Sequence, residues 1–200
     1  MKRIALVMSE NAYGESRKNF ISREKAGFWD DFVRPGPVLD IGYKGGNPNA
    51  DPIFVEAIGL DIGTPGYNGK DIPFGDLSVG TIHACHLLEH IEDYQYFLRE
   101  SLRVLMHGGT LILMVPLLEA YENKLNPPSR FNRDHKRFYT ASRLCQEFEF
   151  ALPRNSYRIL HLQEKFNLAD FGRMQGTHAI GPAYEIECVI EKTTPGAIYV

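Results

Sequence analysis

The sequence predicts an α/β fold on a mostly parallel sheet, closed at its C-terminal end by antiparallel pairing. Three observations lead there. Short apolar runs alternate with helical patterns along the first 116 residues. Each run stops at a glycine, a polar residue or a proline, as buried parallel strands do when they feed a turn. The last third changes character, with two β patterns, Tyr157–Leu162 and Tyr184–Lys192, separated by a Gly-containing segment.

The elements follow in order. Residues 15–33 have helical character, with Phe20, Ile21, Phe28, Trp29 and Phe32 as a partly periodic apolar face and Arg17, Lys18, Arg23 and Lys25 as its polar side. Pro35-Gly36-Pro37 ends it. Val38-Leu39-Asp40-Ile41-Gly42 reads as the first buried strand, Ala57-Ile58-Gly59-Leu60-Asp61 as the second and Val79 to Cys85 as the third. Tyr94 to Leu105 is an amphipathic helix with Phe97, Leu98 and Leu102 inward, stopped by His107-Gly108-Gly109. Thr110 to Val115 is the next strand. A helix over Ser142–Ala151 takes Thr140 as its cap. Pro48 and Pro52 predict little or no helix between Gly46 and Ala57, so the fold is a reduced one.

Two hundred residues, 44% of them hydrophobic and 24% charged, make one globular domain. Within it, 1–36 reads as a lid-like N-terminal segment, 37–116 as the ligand-binding core and 117–200 as the acceptor-side loop with the closing strands. A net charge of -3 argues against a nucleic-acid partner bound by phosphate neutralisation. Cys85, Cys145 and Cys188 have no ligand or pairing spacing, which suits reduced thiols in a cytoplasmic protein. The N-terminal apolar run ends too soon for a signal peptide, and no stretch approaches the ~20 apolar residues that span a bilayer.

Ligands of parallel sheets bind at the carboxyl ends of the strands. There the first strand gives a Gly-rich turn, Asp40-Ile41-Gly42-Tyr43-Lys44-Gly45-Gly46, whose small residues admit a ligand close to the backbone. Asp61 ends the second strand about twenty residues on, where a carboxylate accepts both hydroxyls of a ribose. After the third strand comes His86-Leu87-Leu88-Glu89-His90.

In order, Val38-Leu39-Asp40-Ile41-Gly42, Gly59-Leu60-Asp61, Ile72-Pro73-Phe74, His86-Leu87-Leu88-Glu89-His90-Ile91 and Arg103-Val104-Leu105-Met106-His107-Gly108-Gly109 resemble the motifs of class I methyltransferases of the type 11 group. The resemblance covers residues 38–116 and implies the three-layer Rossmann-like methyltransferase fold with S-adenosylmethionine as cofactor. It places Asp40, Ile41, Gly42, Lys44, Gly45, Asp61, Ile62, Asn68, Asp71 and His86 around that cofactor, with Asn68 and Asp71 near the adenine. Lys44 stands where the family usually has a glycine, and is expected to pair with the cofactor's carboxylate. The C-terminal residues, from Pro128 to Thr140 and then Tyr157-Arg158 and Tyr184-Glu185-Ile186-Glu187, resemble a narrower bacterial and viral subgroup whose members often accompany glycan-building enzymes. That implies O-methylation of a sugar, glycan or other small hydroxyl acceptor.

Transfer to a hydroxyl needs a base, and an imidazole near neutrality suits the task. His135 is the expected base, with the neighbouring Asp134 orienting it. Arg130, Arg133, Lys136 and Arg137 are either a solvated face or a seat for an anionic acceptor. The glutamates and histidines show no compelling metal-ligand spacing, so the sequence calls for no metal. A catalytically silent methyltransferase-like scaffold is the alternative, motivated by Lys44 and the shortened helical region. Methylation of nucleic acid at an amino group is disfavoured, since the aromatic-Pro-Pro-aromatic signature is missing.

Overall fold

The computed structural model describes residues 6–118, 121, 134–166 and 184–196. Two N-terminal helices, α1 (Gly14–Lys25) and α2 (Phe28–Phe32), precede β1 (Val38–Ile41), β2 (Ile58–Leu60) and β3 (Val79–Cys85). Then come α3 (Tyr94–Val104), β4 (Leu105–Pro116), α4 (Ala141–Ala151), β5 (Tyr157–Phe166) and β6 (Tyr184–Lys192). The strands form one sheet in the order β2-β1-β3-β4-β6-β5. The pairs β1·β2, β1·β3 and β3·β4 are parallel, whereas β4·β6 and β5·β6 are antiparallel. The predicted sheet is therefore present, closed by the antiparallel pair β5 and β6.

Side-chain alternation divides the sheet into two faces. Leu39, Ile41, Ile82, Ala84, Leu111, Leu113, Ile186 and Cys188 pack into the cluster that holds Phe97, Leu98 and Leu102 of α3 and Leu144 and Phe148 of α4. Val38, Cys85, Ile112, Met114 and Val189 point the other way, against Phe20, Phe28 and Trp29 of α1 and α2. Helices on both faces of a mainly parallel sheet give three layers.

The N-terminal helical stretch is broken where Gly27 takes a left-handed φ of 75°. Its aromatics are core, with Phe20 and Trp29 stacked at 5.4 Å, although Ile21 is 53% exposed. The segment expected to act as a lid is thus the packed layer on this face. Residues 46–57 form turns and isolated bridges to the N-terminal strand-like segment (Met8↔Phe54, Ala12↔Asp51), with no helix. The proline-rich turn and α1 and α2 together cover the face that a helix after β1 would otherwise occupy.

One boundary moves. α3 ends at Val104, and Leu105 is already extended, so the glycines at 108 and 109 lie inside β4 instead of stopping the helix. Val79 pairs with Leu105 and Thr81 with Thr110, so the extra residues of β4 are taken up as an irregularity in the ladder. At α4 the Thr140 side chain accepts from the Arg143 N–H at 3.1 Å, the expected cap.

Candidate active site

The carboxyl ends of β1, β2 and β3 open into a cleft of about 430 Å³. Ile41 and Gly42 line it from β1, Leu60, Asp61 and Ile62 from β2, and Leu87, His90 and Ile91 from the turn after β3. Tyr96 and Phe97 of α3 close its far wall. Asp61 is fixed by the backbone. Its Oδ2 accepts from the Lys44 N–H at 2.9 Å and its Oδ1 from the Ile62 N–H at 2.7 Å, which leaves each oxygen a further lone pair. Asp61, Glu92, Asp93 and Lys70 are the charged residues of a largely apolar lining, which suits a flat, partly cationic ligand. Tyr67 lies in the same wall, and burial with Asp61 and Asp71 nearby raises its phenol pKa, keeping it a hydrogen-bond donor.

The remaining expected cofactor residues separate. Asp40 alternates with Ile41, so when Ile41 faces the cleft Asp40 must face α1 and α2. It is 1% exposed, with Oδ1 bonded to His83 Nδ1 at 2.7 Å and Oδ2 accepting from the Ile53 N–H at 2.6 Å. Its carboxylate fastens the helix-free 46–57 segment to the sheet, not a ligand in the cleft. Lys44 brings its backbone to Asp61 while its ammonium sits 5.7 Å from the Tyr43 ring. Gly45 packs toward Tyr13, outside the cleft lining. Ile62 is 85% exposed at the mouth. Asn68 and Asp71 fall outside the cleft lining, with Asn68 Nδ2 donating to Asp71 at 2.6 Å and the hydroxyl of Tyr96, which does line the cleft, donating to the same carboxylate.

His86 points past the cleft. It has a left-handed φ of 51°, uncommon for a residue with a side chain, and its Nε2 meets Glu185 at 3.2 Å. Burial works to lower its pKa, but Glu185 and Glu89 outweigh this and raise it. Beside it His90, His135 and Glu89 come together. The Asp134 carboxylate pairs with His90 Nδ1 at 2.9 Å, so the acid expected to orient His135 meets a different imidazole. The His135 ring stacks on Tyr121 at 5.8 Å and meets the edge of His90 at 4.7 Å. In the basic run, Arg137 is committed to the Ile91 and Glu92 carbonyls and to the Tyr94 ring 4.5 Å away, and Lys136 donates its N–H to the Glu89 carbonyl at 2.7 Å. Arg130 and Arg133 lie outside the described residues, as does most of the acceptor-side loop.

A family described as a methyltransferase domain matches residues 13–151, well over half of the chain. The chain belongs to this methyltransferase family. No curated protein matches it. Among solved structures, a SAM-dependent methyltransferase from Archaeoglobus fulgidus superposes with a TM-score of 0.53 at 13% identity, over 89% of this chain and 97% of that one. One from Aquifex aeolicus gives 0.52 at 15%, over 90% and 100%. The cyclase SpnF gives 0.53 at 15%, over 93% and 89%. At such identities the likeness is one of fold, and SpnF illustrates that this fold carries more than one chemistry.

Gly42 shows how the methyltransferase keeps its cleft open. Its φ is 77°, and a Cβ there would come within 2.8 Å of Leu87 Cδ1. Gly42→Ala is expected to cost about 1–2 kcal/mol in backbone strain alone. It should also push Leu87 into the cleft, lowering both the unfolding midpoint and the affinity for S-adenosylhomocysteine. An unchanged affinity by calorimetry would remove this turn from the binding wall.

Sequence reasoning passed over Tyr67, Tyr96, Phe97 and Leu87 as cleft residues. The helical period of α3 offered a signal for Phe97, whose place on the apolar face is shared by core and cleft alike. Tyr67 gave none, since it sits in a segment of turns.

Proposed function

We propose that this methyltransferase moves the methyl group of S-adenosylmethionine to an oxygen acceptor, a hydroxyl of a sugar, a glycan or another small molecule. The observation that supports the cofactor most directly is Asp61, braced by two backbone N–H groups at the end of β2 beside an apolar cleft. Its spare lone pairs suit the two ribose hydroxyls, Ile62, Tyr67 and Phe97 suit the adenine, and the open turn at Gly42 suits the amino-acid end. When bound, the cofactor supplies a methyl group already activated for attack, so the chain mainly has to hold two reactants in line.

The acceptor side is assigned to the cluster next to the cleft. His90 lines the cleft and is braced by Asp134, and His135 stands against it. A hydroxyl held there loses its proton into this cluster as the methyl moves. His135 keeps its assignment to that proton transfer, while the carboxylate expected to orient it, Asp134, is found against His90.

Calorimetric titration with S-adenosylmethionine tests the first half. Asp61→Ala is expected to weaken binding by about 1.5–3 kcal/mol, the range for a hydrogen bond to a charged group. No binding to the native chain would favour the silent scaffold instead. Mass analysis after incubation with labelled cofactor and a panel of sugar nucleotides tests the second half. A methyl found on nitrogen or carbon would overturn the oxygen assignment.

A further inference from the structure

The buried acids of the described chain are matched to partners, with one exception. Asp40 has His83 and the Ile53 N–H, Glu147 has the Tyr139 hydroxyl, Glu185 and Glu187 share Arg23, and Glu191 has Arg158. Glu89 is 0% exposed, and neither of its carboxylate oxygens accepts a hydrogen bond. Burying a carboxylate this way costs several kcal/mol unless a positive charge meets it.

Imidazoles surround it without closing on it. His86 Nδ1 and His90 Nε2 both lie 3.7 Å from Glu89 Oε1, beyond hydrogen-bond length. One ligand atom each from Glu89, His90 and His135 falls within 4.8 Å of the others. Two atoms that each sit about 2.1 Å from a shared tetrahedral ion lie roughly 3.4 Å apart. At 3.7 Å, His90 Nε2 and Glu89 Oε1 are too far apart for a direct bond and close to the spacing of ligands around an ion, with His135 within reach of both. A second feature points the same way. His90 Nδ1 lies 2.9 Å from the Asp134 carboxylate as an ion-pair contact, leaving Nε2 on the side of Glu89. Metal-binding histidines characteristically give their other ring nitrogen to a carboxylate, which fixes the tautomer.

We propose that Glu89, His90 and His135 bind a divalent first-row transition-metal ion at the acceptor end of the cleft, with Asp134 as a positioning residue behind His90. Two imidazoles and one carboxylate suit zinc, manganese, iron or cobalt better than magnesium, which favours all-oxygen sites. Three protein ligands leave coordination positions for water or an acceptor oxygen. The residues are far apart in sequence, 89 and 90 after β3 and 135 before α4, so no ligand motif announces them. That the ion would hold the acceptor hydroxyl rests on the oxygen-transfer reading above; the ion site itself does not.

The test uses the full chain stripped with a chelator and titrated with Zn²⁺ against a chromophoric competitor, and with Co²⁺ by its visible absorption. One ion per chain at micromolar affinity or tighter is expected. Asp134→Asn should weaken binding by about 10–100-fold, the usual cost of losing an outer-shell partner. Glu89→Gln and His135→Ala should weaken it by more, and His107→Ala, remote from the cluster, should not change it. S-adenosylhomocysteine affinity, read on the same samples, reports folding of each variant. If Glu89→Gln does not fold, His135→Ala and Asp134→Asn decide. Absence of stoichiometric binding, or binding indifferent to these substitutions, overturns the site. Hydroxyl methylation by the metal-free chain overturns the ion's role with the acceptor and leaves the oxygen reading intact. A bound ion with methylation of nitrogen overturns the oxygen reading alone.

Discussion

Replacing His135 by alanine is expected to lower turnover by about 10²–10⁴-fold, the usual consequence of losing a proton-transfer group, while cofactor affinity stays within about twofold. The two effects separate because His135 meets His90 and Tyr121, whereas the cleft proposed for the cofactor is lined by Asp61, Tyr67 and Phe97. A role as free base and a role as metal ligand give different further results. In the role of free base, added imidazole would partly restore the variant. A ligand role instead links the loss of rate to loss of the bound ion. If turnover falls less than tenfold and ion binding is intact, His135 belongs to neither, and His90, with Asp134 behind it, is the next residue to substitute.

The fold was legible because its signals are local. Val79–Cys85 matches its predicted range, and Tyr184–Lys192 does too, since unbroken or alternating apolar patterns leave little freedom in where a strand begins. The missing helix after β1 could be read from Pro48 and Pro52 because proline acts on its own backbone. The cleft was legible only where a residue at a strand's own end lines it, as at Asp61. Asp40 shows the limit. Its motif position marks the turn correctly, but which face it takes is decided by the pleat and by the distant His83. The Glu89–His90–His135 cluster was beyond reach for the same reason. It is made by the turn after β3 meeting the segment before α4, and Leu117 pairing with Tyr139 ties the two ends of the acceptor-side loop together nearby. Arg23 is the clearest inversion. By residue type it belongs to the solvent side of a surface helix, yet it is among the most buried side chains because β6 carries glutamates on the face that α1 covers.

That inversion yields the largest expected loss of stability. Arg23 is 2% exposed, gives Nε to Glu187 Oε1 at 2.9 Å and an Nη2 donor to Glu185, and lies 5.9 Å from the rings of Phe28 and Trp29. Asn19 adds a bond to Glu185 at 2.8 Å, and Lys165 reaches Glu187 at 3.2 Å. Removing the guanidinium in Arg23→Met keeps much of the volume but takes the buried cation from Glu185 and leaves Glu187 with Lys165, which is expected to cost about 3–5 kcal/mol. Urea unfolding at neutral pH measures it, with an unchanged slope showing that the midpoint shift is one of stability. The pH dependence gives a second check. Burial alone would raise the Glu185 pKa, but Arg23 and His86 hold it below the ordinary glutamate value. Its native contribution is therefore present above that ordinary value and lost as pH falls through the lowered one. In Arg23→Met burial dominates, the folded pKa rises, and the penalty applies only while Glu185 stays ionised. The gap between native chain and variant should consequently be widest near neutrality and narrow as pH drops below the glutamate range. A gap that is constant with pH would mean that Arg23 acts through packing against Phe28 and Trp29, with the two carboxylates indifferent to its charge.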